Sequence, residues 1–239
     1  MQQTVPADTE ARVLRALSRA GSTAAIAAAV LTVIWLVTLV AAPLPQSGST
    51  ADHLLALRAD DGRTSLPYLV VLPFGLLLVP VWIALAARAW REHPVAAALT
   101  PAFGLLYAPF TLLAYWSQLT VARGIADAYG RDPAASIAVY QLFDFGTATS
   151  LTFALDVGGY AILGLGSVCA AVLLWSEGRL GRLAGALLAL SGALSIMGAA
   201  GLALRASVMQ VGAIASGPPF LVAIIGIAVL LRRDQTAAR

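Results

Sequence analysis

The chain has 239 residues, of which 59% are hydrophobic and only 11% charged. A water-soluble domain carries roughly 25% charged residues, so this chain has too little polar surface to coat a water-facing globule of its size. The net charge of +3 rests on fifteen basic residues, all arginine, clustered at the ends of apolar runs; that placement fits a membrane protein and excludes nucleic acid as a partner.

Residues 1–20 are polar and carry Arg12, Arg15 and Arg19. Asp8 to Ala20 is expected to form a short amphipathic helix on the inner membrane surface, within a cytoplasmic N-terminal segment. Gly21 to Ala42 is an uncharged run long enough to span, roughly 33 Å as a helix. Its length exceeds the roughly 7–15 apolar residues of a signal peptide, so it reads as an anchor. Pro43 and Pro45 end it.

Residues 46–66 are hydrophilic. Thr50 to Arg58 reads as a capped short helix ended by Gly62, lying at the outer surface. A second span runs from Pro67 to Ala87, bent by Pro73 and Pro80. Arg88, Arg91, Glu92 and His93 make an inner turn. The third span runs from Pro94 to Gln118, with Pro101 and Pro109 as expected kinks. Residues 119–149 form the longest connection, in which Ala134 to Phe145 is expected to be a short interfacial helix.

The fourth span runs from Ser150 to Trp175, and the hairpin Ser176 to Arg182 leads into a fifth span from Leu183 to Leu204. Arg205 to Gln210 is a brief outer turn. The sixth span covers Val211 to Leu231 and is interrupted by Pro218 and Pro219; Arg232 and Arg233 close it, and residues 234–239 form a cytoplasmic tail. The expected fold is therefore all-α, a polytopic transmembrane helical bundle over residues 21–233. It has six spans, both termini inside, and short interfacial helices in the two long outer loops.

Orientation follows from arginine. Ten arginines fall in the inner segments (12, 15, 19, 88, 91, 179, 182, 232, 233 and 239) and five in the outer ones (58, 63, 123, 131 and 205). Basic residues resist translocation, so the ten-arginine side is cytoplasmic. The arginine-only, alanine-rich composition is that of a GC-rich bacterial genome, which places the protein in the bacterial cytoplasmic (inner) membrane.

Small residues allow helices to approach closely in lipid. Gly158, Gly159, Gly164, Gly166 and Ala170 lie on the fourth span; Gly181, Gly185 and Ala189, then Ser191, Ser195 and Ala199, form ladders on the fifth. The short hairpin makes these spans antiparallel neighbours, and a tight pairing is expected.

Ionisable groups inside a membrane are costly and are functional candidates by default. Asp156 lies about six residues into the fourth span, roughly 9 Å deep at the helical rise. Its candidate partners are Arg205, Tyr115, Trp116, Ser117, Gln118 and Gln210 from neighbouring span ends and Tyr140, Gln141 and Asp144 from the outer connection; Asp156, Arg205, Tyr115, Gln118, Asp144 and Tyr160 form the candidate ligand-binding set. Two readings follow: an outward-facing polar pocket that binds a small or amphipathic ligand, or a structural bond locking helices together, such as an Asp156–Arg205 pair. The kinked sixth span carries the same two readings, a transporter-like broken helix or a routine proline kink.

Enzyme signatures are missing. His53 and His93 are the only histidines and fall on opposite sides of the membrane, and no zinc-protease run, serine elbow or phosphate loop is present. Cys169 has no thiol partner and reads as a packing residue. No metal, catalytic residue or cofactor is expected.

The inner turn Ala86 to Arg91, the long outer connection, the stretch Asp156-Val157-Gly158-Gly159-Tyr160 and the hairpin Glu177 to Arg182 together resemble a family of uncharacterised bacterial six-span membrane proteins. The resemblance implies a six-helix fold and carries no established activity. The expected function is a non-enzymatic membrane protein, a scaffold, sensor or accessory subunit. It would be embedded in the lipid bilayer with a membrane-protein partner or a second copy. The alternative is a secondary transporter or small-molecule or lipid-binding protein with a polar pocket near Asp156.

Overall fold

A peptide chain in hydrocarbon has no water to satisfy its N–H and C=O groups, so each long apolar run closes its own hydrogen bonds as a helix. The computed structural model describes residues 7–41, 48–59 and 62–237, with side chains described for 8–41, 48–59 and 62–233. The regular elements are helices: α1 (Ala7–Ala41), α2 (Thr50–Ala59), α3 (Leu66–Val71), α4 (Phe74–Ala89), α5 (Pro94–Ser117), α6 (Arg123–Ala128), α7 (Pro133–Tyr140), α8 (Leu151–Leu174), α9 (Gly178–Ala203), α10 (Ser207–Ala215) and α11 (Gly217–Ala237). Six helical stretches are long and apolar enough to cross a bilayer: Asp8–Ala41, Leu66–Ala89, Pro94–Ala128, Leu151–Leu174, Gly178–Ala203 and Ser207–Arg233. The protein is a six-span helical membrane protein.

Several expected boundaries move. The segment from Asp8 to Ala20 is not a separate surface helix; it continues into the first span as α1. Gly21 does not stop the helix, because it serves packing: a Cβ there would lie 2.5 Å from the Ala84 Cβ and 3.0 Å from Leu231 Cδ1. Ala42, Pro43 and Pro45 lie outside the described residues. In the second span Pro73 separates α3 from α4, whereas Pro80 stays inside a continuous α4.

The third span does not end at Gln118. It passes through a five-residue π-helical turn, Gln118–Ala122, and continues as α6 to Ala128. Nothing in Leu119-Thr120-Val121-Ala122 breaks a helix, so the ladder persists to Ala128, ahead of the turn at Gly130. Pro101 and Pro109 are both accommodated within α5. The short helix expected over 134–145 is α7, capped by the Asp132 carboxylate accepting from Ala135 N at 3.0 Å and ending at Tyr140. The turn before α9 is shorter than expected, since α9 starts at Gly178.

The chain separates into two compact units. The first comprises Met1–Ala29, Leu76–Leu106 and Ala161–Arg239; the second comprises Val30–Gly75 and Tyr107–Tyr160. The first unit is built on close helix contacts. A Cβ on Gly164 would sit 2.7 Å from Gly192 O, and one on Gly192 would sit 2.5 Å from Gly164 O. A Cβ on Gly185 would sit 3.0 Å from Ala171 O. The expected α8–α9 pairing is thus real, through Gly164, Gly185, Gly192 and Ser195. Other small residues of α8 serve different neighbours: Gly166 faces Phe103 of α5. Gly159, expected on the same ladder, instead belongs to the second unit and faces Tyr107 and Phe110 of α5.

The sixth span breaks at Ser216, between α10 and α11. Pro218 and Pro219 occupy the first turn of α11, where their missing N–H groups cost little. Ser216 O accepts from Phe220 N at 3.2 Å and also from the Ser191 hydroxyl of α9 at 2.9 Å, which ties the break to α9. α10 lies on α9 with Gly212 against Leu194 O and Gly198 against Ala213. Trp82 is fully buried beside Gly104 and meets Phe220 edge-on at 6.5 Å. At one end of this unit Arg88 grips Glu177 with two bonds, Nε to Oε1 at 3.1 Å and Nη2 to Oε2 at 2.7 Å, and Arg91 pairs with Glu10 at 2.7 Å.

The glycine contacts give a direct test. Gly192→Leu is expected to lower thermal stability in detergent by an overpacking cost of about 1–3 kcal/mol or more, because backbone stands where the side chain would go. Gly124→Ala, at an exposed helical position with nothing within 4 Å, is expected to hold or raise stability. Melting curves of the two variants check the ordering.

Candidate functional site

The second unit gathers the polar residues that the apolar spans otherwise lack. One face of α5 supplies most of them. Tyr107, Thr111, Tyr115 and Gln118 recur at helical spacing, and all four are buried. Ser150 opens α8 by accepting from Phe153 N at 3.1 Å, which fixes the helix start and carries Asp156 into the span. Asp156 is 7% exposed.

The Tyr115 hydroxyl donates to Asp156 Oδ1 at 2.7 Å. Among the described residues this is the hydrogen bond Asp156 receives, and Oδ2 takes none. A carboxylate offers about four acceptor sites, so most of its capacity is unused. Tyr107 and Tyr160 are near enough to interact electrostatically with Asp156. Aromatic rings wall the region. Phe145 stacks on Tyr115 with centroids 5.9 Å apart and rings 15° from parallel, and it meets Tyr68 at 5.7 Å and Phe153 edge-on at 6.3 Å. Tyr68 also lies 6.1 Å from Tyr115.

Phe145 is held in place by its neighbour. Asp144 is 1% exposed and its carboxylate is saturated. His53 Nδ1 lies 2.9 and 3.0 Å from the two oxygens, Gly146 N donates to Oδ1 at 3.0 Å, and the Thr147 hydroxyl donates to Oδ2 at 2.9 Å. Since both Asp144 oxygens are acceptors, Nδ1 is the protonated nitrogen and donates. Gln118 Nε2 donates to Phe143 O at 2.7 Å, and Leu151 N donates to Leu142 O at 2.9 Å. These bonds fasten the 141–150 segment to α2, to the π turn and to the start of α8. Tyr140 packs with Leu54, Ala122 and Ala126 beneath it. Burial, and then the Asp144 charge, push the Tyr140 phenol well above its ordinary range.

Of the residues named from sequence, Tyr115 and Asp156 are bonded, and Tyr160 lies near them. Gln118 is buried one turn beyond Tyr115, where it reaches Phe143 O and, at 3.5 Å, the Thr152 hydroxyl. Asp144 serves His53 and its own turn. Arg205 belongs to the first unit; it is exposed and has a positive φ of 55° at the turn after α9. The sequence reading missed His53, Tyr68, Phe145, Phe153 and Tyr107. The recurrence of Tyr107, Thr111 and Tyr115 in an otherwise apolar span was a usable signal; the His53–Asp144 pair, 91 residues apart, left none. Among the described residues no group of three or more His, Cys, Asp or Glu side chains could hold a metal ion.

No protein-family model matches the chain, and no curated protein or solved structure matches it either.

Two predictions follow from this geometry. Tyr115→Phe removes one donor and is expected to cost about 1–3 kcal/mol. Asp144→Ala strands three donors and is expected to cost more. Chemical or thermal unfolding of the two variants in detergent checks the order. The second concerns α2, which carries His53. Ser49 and Asp52 form a reciprocal cap: Ser49 N and Oγ each donate to Asp52 Oδ2 at 2.7 Å, and Asp52 N donates to Ser49 Oγ at 3.2 Å. The Ser49 hydroxyl, then its N–H, hold the Asp52 carboxyl below its ordinary range. A depressed carboxyl stabilises the fold above its unfolded value, and that contribution is lost as pH falls through the folded one. The first turn of α2 is therefore expected to keep its protection at neutral pH and lose it below about pH 4. Amide exchange corrected for intrinsic rates, with Asp52→Asn insensitive to this step, reads the effect.

Proposed function

We propose that the chain is a non-enzymatic protein of the bacterial cytoplasmic membrane, with both termini in the cytoplasm, that binds a small solute at Asp156. It would act as a transporter or as a ligand-responsive membrane protein. Orientation rests on the arginine count of ten against five. The bacterial assignment rests on the arginine-only, alanine-rich composition and on the resemblance to uncharacterised bacterial six-span proteins.

The observation that carries the binding reading is Asp156 itself. A buried carboxylate is tolerated when its acceptor sites are filled, and Asp144 in the same unit illustrates that solution with three donor groups. Asp156 has one, on Oδ1. A structural role alone would favour the first arrangement. A carboxylate with most of its acceptor sites open, beside a cluster of aromatic rings, has the composition of a small-molecule site, which is mostly apolar with a few placed polar groups.

Two experiments test this. In a Cys169→Ala background, Ala148→Cys is expected to react with an impermeant maleimide in intact cells and Ser176→Cys to react only after lysis; the reverse pattern overturns the orientation. A thermal-shift screen of small solutes on the purified protein is expected to find compounds whose stabilisation disappears in Asp156→Asn. Stabilisation unaffected by that substitution contradicts the assignment of the site.

A further inference from the structure

We infer, resting on the Asp156 reading above, that the solute is an organic ammonium ion carrying at least one N–H, which donates to Asp156 Oδ2 while its hydrocarbon part lies against the aromatic wall.

The charge balance comes first. The hydrogen bond to Asp156 comes from a neutral phenol, so an ionised Asp156 has no opposite charge bonded to it. None of the four arginines of the same unit (58, 63, 123 and 131) is bonded to Asp156; the Arg123 guanidinium donates to the Ser65 hydroxyl at 2.8 and 2.6 Å, and that of Arg58 lies against Gly130. A cation is the ligand that would supply the opposite charge and hold this buried carboxyl ionised.

The kind of cation follows from the other groups. Calcium takes six to eight oxygen ligands and magnesium demands a near-octahedral set. One carboxylate among phenols and phenyl rings supplies too few, in keeping with the lack of any metal-holding group among the described residues. The faces of tyrosine and phenylalanine instead attract soft, weakly hydrated cations. Tyr68, Tyr115, Phe145 and Phe153 form one continuous ring cluster next to the carboxylate. The unused acceptor sites on Oδ2 call for N–H donors, which primary and secondary ammonium ions have and quaternary ones lack.

The test uses the purified full-length protein in detergent and a matched series: hexylammonium, the uncharged hexanol, and hexyltrimethylammonium. Hexylammonium is expected to raise the melting temperature saturably, with a half-saturating concentration at least about tenfold below those of the other two. Asp156→Asn is expected to lose that preference. Tyr115→Phe keeps the charge and frees Oδ1, so it is expected to retain the preference. It also serves as the folded reference should Asp156→Asn fail to fold, with Asp156→Glu as a second charge-retaining variant. Equal response to hexanol, or to the quaternary ion, overturns the ammonium assignment, as does loss of the preference in Tyr115→Phe and Asp156→Glu alike. If a neutral or anionic compound stabilises the protein in an Asp156-dependent way, the site stands and its ligand class is wrong. If no compound of a broad screen depends on Asp156, both readings fall.

Discussion

The rest of this structure depends on one constraint: inside hydrocarbon, every peptide group must find its partner within the protein. Continuous helices are the default solution, and the six spans obey it. The departures are more informative because each comes with a local remedy. Where the sixth span breaks at Ser216, that carbonyl accepts from Phe220 N and from the Ser191 hydroxyl, which ties the break to α9. Where the third span loosens into a π turn, buried Gln118 ties the turn to Phe143 O.

With no water to expel between helices, cohesion must come from contact, and contact needs small residues. Gly164 with Gly192, Gly185 with Ala171, and Gly198 with Ala213 let backbones approach where any side chain would intrude. In the second unit the same requirement is met differently, by hydrogen bonds and aromatic packing. His53–Asp144 sets the 141–150 segment, Phe145 is thereby laid on Tyr115, and Tyr115 holds Asp156. Polar groups that are expensive in lipid are thus arranged as a connected set, which is the condition under which they specify a structure. Asp156 is the member of that set left with spare acceptor capacity.

The six spans were legible because lipid imposes a composition that persists for about twenty residues. Their limits were less so. Gly21 and the stretch after Gln118 have the local look of boundaries, yet tertiary packing turns Gly21 into a contact point, and an uninterrupted ladder carries the chain on to Ala128. Asp156 stood out as a charge in an apolar run, and Tyr115 as a polar group at a neighbouring span end. His53 and Phe145 were invisible, since nothing local distinguishes a histidine on a short helix that will meet an aspartate 91 residues away. The same distance effect hid which small residues of α8 face which neighbour: Gly159 and Gly164 are five positions apart and turn to different helices.

Hydrogen–deuterium exchange of the protein in lipid nanodiscs tests the central constraint most directly. Six slowly exchanging blocks, with the third continuing unbroken past Gln118 to about Ala128, are the predicted result. Rapid exchange throughout any one of those six blocks, or a chain that remains monodisperse without lipid or detergent, would contradict it.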